Sequence, residues 1–194
     1  MATAARKTKE DANPFFTDVK TLRERARKSL EDGAVTPGYK GDVEKAIKLL
    51  QTVVVTEMVC VMRYKMHAIT ATGISSEAVA AEFEEHSKDE YAHAMWAAER
   101  IDQLGGTPEM NPEVFTGRSA TEYGKGGNLI DMIRQNLVAE RIVIEHYQEM
   151  IRWFGDKDPT TKRMLEKILA EEEEHAADMH DLLVAREGEP FLKD

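Results

Sequence analysis

Asp89-Glu90-Tyr91-Ala92-His93 and Glu171-Glu172-Glu173-Glu174-His175 share one pattern: an acid, a second acid, then a histidine three residues further on. On an α-helix a separation of three keeps the second acid and the histidine on one face. Around both stretches apolar residues recur at steps of three or four, so the same face is otherwise a core face. The second helix reads Val79, Phe83, His86, Glu90, His93, Ala97, Ile101, Leu104, and the fourth reads Leu165, Ile168, Glu172, His175, Met179, Leu182.

Two more stripes carry one acid each. The first helix reads Val43, Ile47, Leu50, Val54, Glu57, Val61, Tyr64, Ala68. The third reads Ile130, Ile133, Leu137, Glu140, Ile144, Tyr147, Ile151, Phe154. Glu57 precedes Glu90 by 33 residues and Glu140 precedes Glu172 by 32, so each half of the chain is Glu, then Glu-x-x-His.

Punctuation sets the helix limits. Asp42 caps the first helix, which runs to about Thr72 before Gly73; Ser75 or Ser76 caps the second, which ends at Gly105-Gly106. Asn128 starts the third and Gly155 ends it. Asp158-Pro159 is an N-cap with proline in the first turn of a fourth helix, which ends near Glu187 before Gly188 and Pro190. The first and last connections are short and predict antiparallel hairpins, whereas residues 106–127 are long enough to cross the bundle. Two hairpins joined by a crossover predict an all-α, ferritin-like four-helix bundle.

Four carboxylates in an apolar core repel one another, and burying even one unpaired charge is costly. No Lys or Arg stands on the central stripe positions. Two divalent cations would balance the four charges, and carboxylate with imidazole suits iron or manganese. A bridging carboxylate holds two metals at roughly 3.5–4 Å, where both act on one oxygen species. Alone, each Glu would read as a solvated surface acid or a protonated core acid; four Glu and two His at coincident positions on four helices read as a dimetal site.

On these residues, residues 42–187 resemble the bacterioferritin and Dps-like branch of the ferritin superfamily. The resemblance implies that Glu57 and His93 bind one iron, Glu140 and His175 the other, and that Glu90 and Glu172 bridge them. It places Tyr64 beside the centre as a hydrogen-bond or electron donor, with core packing the alternative. Manganese or zinc are substitutes for iron. Tyr91 stands where bacterioferritins carry a haem-ligating Met, which argues against haem. The implied activity is ferroxidase: Fe(II) oxidised by O2 or H2O2, with storage or detoxification. The alternatives are a dimetal peroxidase, manganese catalase or oxygenase without iron storage, and a DNA-compacting protective shell. Seven residues follow Glu187, too few for the fifth helix of 24-subunit cages, so a homo-oligomeric shell of 12 subunits is expected.

Other residues draw weaker expectations. His86 is a second-sphere group, a transient iron site or a hydrogen-bonded core histidine. His67, His146 and His180 read as surface or interface residues, and Trp96 and Trp153 as packing. Asp89 and Glu171, each preceding a bridging Glu, are placed to accept the second N–H of a ligand histidine across the bundle.

The net charge of −10 excludes a general polyanion binder, yet it is unevenly spread. Residues 1–30 hold eight basic side chains against four acidic. The expected organisation is a basic N-terminal extension over 1–40 with a short helix near 17–32, the bundle over 41–188, and a tail over 189–194. The stripe Val19, Leu22, Ala26, Leu30 is narrow and belongs on an outer surface. A dozen copies of the arm on one shell could bind DNA by multivalency. Cys60 is the single cysteine, which excludes an intrachain disulfide and suits a cytoplasmic location; no stretch is apolar enough for a secretory signal or a membrane span.

Overall fold

The structure, a computed structural model, describes residues 17–73 and 76–187. The described residues form helices and no strand: α1 (Val19–Lys28), α2 (Val43–Thr70), α3 (Ser76–Gln103), α4 (Phe115–Arg118), α5 (Leu129–Phe154) and α6 (Pro159–Glu187). The four long helices are a ferritin-like bundle. Their limits follow the capping signals: the Asp42 and Asn128 side chains accept from the amides of Lys45 and Asp131. Gly73, Gly105 and Gly155 leave the helical region with positive φ. Of the two serines expected to cap α3, Ser76 begins the helix and Ser75 lies outside the described residues.

The α2–α3 and α5–α6 pairs pack as hairpins. Late α2 meets early α3, as Tyr64 against Phe83 shows, so that pair is antiparallel. The crossover runs along α2, held by hydrogen bonds at successive turns. Gln51 exchanges two bonds with the Glu109 backbone. Thr56 accepts from the Ala120 amide, and Arg63 donates to the Glu122 carbonyl. One turn of 3-10 helix at Pro112–Val114 and the short α4 lie within it, and Phe115 buries against Val55 and Val59. This delivers the chain to the far end of the bundle, where α5 starts. At Gly126 φ is +66° and a Cβ would meet Met132 Cγ at 2.5 Å, so only glycine fits.

The core holds two large apolar blocks beside the small cluster of Val55, Val59 and Phe115. One contains Leu50, Val54, Ile101, Tyr147 and Leu165; the other contains Tyr64, Val79, Phe83, Ile133 and Met179. The α3 stripe is buried along its whole length. On α5 the buried face is rotated from the expected one. Ile133, Glu140, Tyr147 and Phe154 are buried as expected, but Ile130, Leu137, Ile144 and Ile151 are half-buried. Met132, Asn136, Ala139, Val143 and Met150 take the other flank. That flank meets α2, with Arg63 bonded to Asn136 and Val143 and Met150 in one apolar cluster with Leu50, Val53 and Val54, which the α5 sequence alone does not reveal.

Asp158 ties the two hairpins together. It caps α6 through the Thr161 amide at 2.9 Å and receives Arg100 of α3 at 3.1 Å and the Tyr39 hydroxyl at 3.0 Å. The expected N-terminal helix is shorter than 17–32: Asp18 caps it and it ends at Lys28, with no buried residue. Leu30 falls beyond it and is exposed. Residues 1–16 of the basic arm and residues 188–194, on which the expectation about a fifth helix falls, lie outside the described residues. No helix among the described residues is long and apolar enough to cross a membrane.

Candidate metal centre

Between the two apolar blocks lies a polar layer. Glu57 comes from α2, Glu90 and His93 from α3, Glu140 from α5, and Glu172 and His175 from α6; all six are buried. They fall into two groups whose donor atoms lie within 4.8 Å of one another: Glu57, Glu90, His93 and Glu172, and Glu90, Glu140, Glu172 and His175. Glu90 and Glu172 are common to both.

The histidines point Nδ1 into the layer. His93 Nδ1 is 2.9 Å from Glu172 and 3.5 Å from Glu90. His175 Nδ1 is 3.5 Å from Glu172 and 3.8 Å from Glu90. Two ligands at about 2.1 Å from one ion stand about 3–3.4 Å apart, and the four separations scatter closely around that range. The opposite ring nitrogens face the acids that precede the central ones: His93 Nε2 is 2.7 Å from Glu171, and His175 Nε2 is 3.5 Å from Asp89. An acceptor there holds the N–H on Nε2, so that a cation displacing the Nδ1 proton finds the Nδ1 lone pair directed at it.

Both oxygens of Glu57, Glu90 and Glu172, Oε2 of Glu140, and Nδ1 of His93 and His175 have no hydrogen-bond partner among the protein's own groups. Each such buried atom costs about 1–3 kcal/mol, and more when charged. An apolar core would not converge them on one layer without something to coordinate. The donor set therefore fits two divalent cations, each with carboxylate and imidazole ligands.

Electrostatics agree. Burial, then the charges of Glu90 and Glu172, push the Glu140 carboxyl well up. Burial lowers His93, but Glu172 and Glu90 outweigh it and bring the imidazole up to about 11. His175 is raised in the same way, with Glu172 and Glu90 outweighing its burial. In the cation-free protein, protons thus offset part of the negative charge. Metal binding must displace them.

Tyr64 lies beside the layer, and its hydroxyl donates to Glu140 Oε1. Burial, then Glu140 and Glu90, push the phenol well above its ordinary value, so it stays protonated. Behind it is a cation that stripe reasoning missed. Arg63 is outside the α2 stripe yet 1% exposed, and it donates to Asn136, the Glu122 carbonyl and Cys60. Its charge acts on Glu140 and Glu90. His67, expected at a surface, is buried and bonded to Asn136 at 3.1 Å; the crossover closes over it. His146 is half-buried and His180 exposed. Trp96 and Trp153 pack on the core edge, with Lys167 over the Trp96 ring at 3.7 Å.

A groove of about 570 Å³ opens over the layer. His175 and His86 form its floor, and Glu82, Glu85, Asp89, Glu171, Glu174 and Asp178 line it.

Helical hairpins joined by a crossover, with Glu and Glu-x-x-His converging from each half, define a class. Residues 47–187 match the ferritin-like domain, and the chain belongs to the ferritin-like family. It is similar to a dodecameric thioferritin, the bacterioferritin-related protein of Bacteroides fragilis, with 31% identity and a TM-score of 0.73 over 90% of this chain and 99% of that one. It is 27% identical over 155 residues to the DNA protection during starvation protein of Pyrococcus furiosus, covering 78% of this chain and 84% of that protein. It is 29% identical over 96 residues to the 3-demethoxyubiquinol 3-hydroxylase of Pseudomonas paraeruginosa. That match covers 48% of this chain and 45% of the hydroxylase, so the chain spans under half the length of that relative.

Proposed function

We propose that the protein is a ferroxidase that oxidises Fe(II) with O2 or H2O2 and stores or detoxifies the product in a homo-oligomeric shell. The observation that carries this reading is the acidic groove above the buried layer. Its carboxylates draw in cations, and they disfavour the apolar organic substrate that a quinone hydroxylase takes.

Iron is here the substrate. Glu57 and His93 bind one ion, Glu140 and His175 the other, and Glu90 and Glu172 bridge. Two Fe(II) give up one electron each; with H2O2 the balance is two Fe(II), one H2O2 and two protons to two Fe(III) and two waters. Hard anionic oxygens favour Fe(III) over Fe(II), so this ligand set makes the oxidation easier. Glu171 and Asp89 orient the two histidines, and Tyr64 holds Glu140. A shell of 12 subunits is supported by the likeness to the dodecameric Bacteroides protein.

The test is to add excess Fe(II) in air to the metal-free protein and to measure iron co-eluting with it by size. Iron far above about two per subunit is the expected result. Retention near two moves the reading to peroxidase or oxygenase chemistry, and none points to manganese or a structural site. Glu90→Ala and Glu172→Ala should each remove fast oxidation while leaving a folded helical protein.

One observation favours a second role. Helix α1 exposes Lys20, Arg23, Arg25, Arg27 and Lys28 and buries nothing. A DNA-binding shell would lose salt-sensitive DNA affinity on deletion of residues 1–30; unchanged affinity rules the arm out.

A further inference from the structure

Aligning Glu90-x-x-His93 of α3 with Glu172-x-x-His175 of α6 pairs the residues around them: Asp89 corresponds to Glu171, Glu85 to Lys167, and Trp96 to Asp178. The two helices cross the layer antiparallel. Trp96 meets Lys167, His93 meets Glu171, His175 meets Asp89, and His86 meets Asp178. Lys167, Trp96, Glu85 and Asp178 all line the groove. Where one half of the chain presents the two acids Glu85 and Asp178, the other presents a lysine and an indole. The ligands repeat between the halves, whereas the side chains around them differ in charge. The histidines differ accordingly: His175 forms part of the groove floor, and His93 is fully buried.

Lys167 Nζ stands 3.7 Å over the Trp96 ring centroid and 3.6 Å from Glu171 Oε1. The other oxygen of Glu171 is 2.7 Å from His93 Nε2, and the Trp96 and His93 ring centroids are 5.4 Å apart. Lysine, carboxylate and indole thus stand together between the groove and His93. A Lys–Glu pair at i, i+4 on an exposed helix face contributes little, and with the lysine first it has the weaker of the two orders. The ring beneath the ammonium and the histidine beyond the carboxylate distinguish this one from an ordinary surface pair. The indole face holds the cation, and the cation covers the outer oxygen of Glu171, where an ion from the groove would otherwise bind.

We propose that Lys167 is a positioning residue that reserves Glu171 for His93 and closes the Trp96 end of the groove to divalent cations, so that ions reach the layer past His175. The device rests on the reading of the layer as a cation-binding centre. Its charge repels an ion approaching along the Trp96 end, and its stem covers the indole that walls that end. An acid at position 167, like Glu85 in the other half, would instead draw ions onto Glu171 and pull that carboxylate away from the ring it orients. Lys167 touches no ligand of the layer in any of these contacts and acts through Glu171.

The test mixes the metal-free protein with Co²⁺ without oxygen and follows the visible bands of bound Co²⁺ by stopped flow. At low salt Lys167→Gln is expected to bind about fivefold faster than wild type, the effect of one charge on a divalent ion some ~8 Å away in water. In about 1 M salt, where the Debye length is about 3 Å, the two rates should converge. Lys167→Arg keeps the charge and stacks on the indole, so it should bind at the wild-type rate. Equal rates for Lys167→Gln and wild type at low salt overturn the proposal. So does a gain that survives high salt, or an arginine variant as fast as the glutamine one. The layer itself is checked separately. Wild type that takes up no Co²⁺, or Glu90→Ala/Glu172→Ala that takes it up at the wild-type rate and extent, sinks the cation-binding reading. Uptake that needs Glu90 and Glu172 but is indifferent to Lys167 overturns the present proposal alone.

Discussion

The carboxylate of Glu171 lies 2.7 Å from His93 Nε2, although 78 residues separate them, and Glu172, the next residue, reaches the other nitrogen of the same ring at 2.9 Å. Two adjacent residues of α6 thus hold both ends of an imidazole on α3. Glu171→Gln keeps the shape but removes the charge that favours the Nε2–H tautomer. Metal affinity at the site sharing His93 should fall about 10–100-fold with no loss of helicity. Asp89→Asn, at 3.5 Å and with a more exposed carboxylate, should cost less. Calorimetric titration of the metal-free variants decides it, and equal losses in both would refute the ranking.

Metal removal should be felt in stability. The cation-free layer leaves both oxygens of the buried Glu57 without partners, and an ion that binds only the folded state stabilises it by mass action. With the ion at a hundredfold excess over Kd the gain is about 2.7 kcal/mol per site. Thermal unfolding with and without Mn²⁺ should show the rise in wild type and a smaller one in Glu90→Ala. The same rise in both would remove the layer as its cause.

Arg63 should resist replacement by lysine. Its guanidinium reaches three acceptors at once: Asn136 Oδ1 at 2.9 Å, the Glu122 carbonyl at 3.2 Å and Cys60 Sγ at 3.4 Å. An ammonium is a point donor and cannot span that fork. Arg63→Lys is expected to lose about 1–3 kcal/mol through the acceptors left unpaired, measured by denaturant unfolding of the metal-free protein. Stability equal to wild type would mean that lysine, or a solvent molecule, serves them.

The bundle and the six polar positions were legible because helical periodicity is a local property. Glu57, Glu90, Glu140 and Glu172 interrupt stripes that any helix must bury, and glycines and caps mark the ends. Arg63, Asn136 and His67 were not legible. They lie off the stripes, and Arg63 is enclosed by partners distant in the chain: Glu122 of the crossover, 59 residues on, and Asn136 of α5, 73 residues on. The rotation of the α5 face has the same origin. The role of Tyr64 is intermediate: its place on the stripe is periodic, whereas its bond to Glu140 spans 76 residues.

Asp158 gives a pH dependence with a definite sign. Burial would raise its carboxyl, but the Thr161 hydroxyl and amide and the Arg100 guanidinium outweigh this and hold it below its ordinary value of 3.8. The ionised form is therefore the one that stabilises the fold. Its contribution is complete above the unfolded-state value of about 3.9 and is lost as pH falls through the lower folded-state value. Asp158→Ala removes the α6 cap and strands Arg100, which is 8% exposed, at a cost of about 3–5 kcal/mol near neutral pH. The gap between variant and wild type should narrow in acid, because wild type loses what the variant never had. Urea unfolding of both metal-free proteins at pH 7, and in the most acid buffer that leaves both folded, tests this. A gap that stays constant would assign the stabilisation to Asp158 packing and not to its charge.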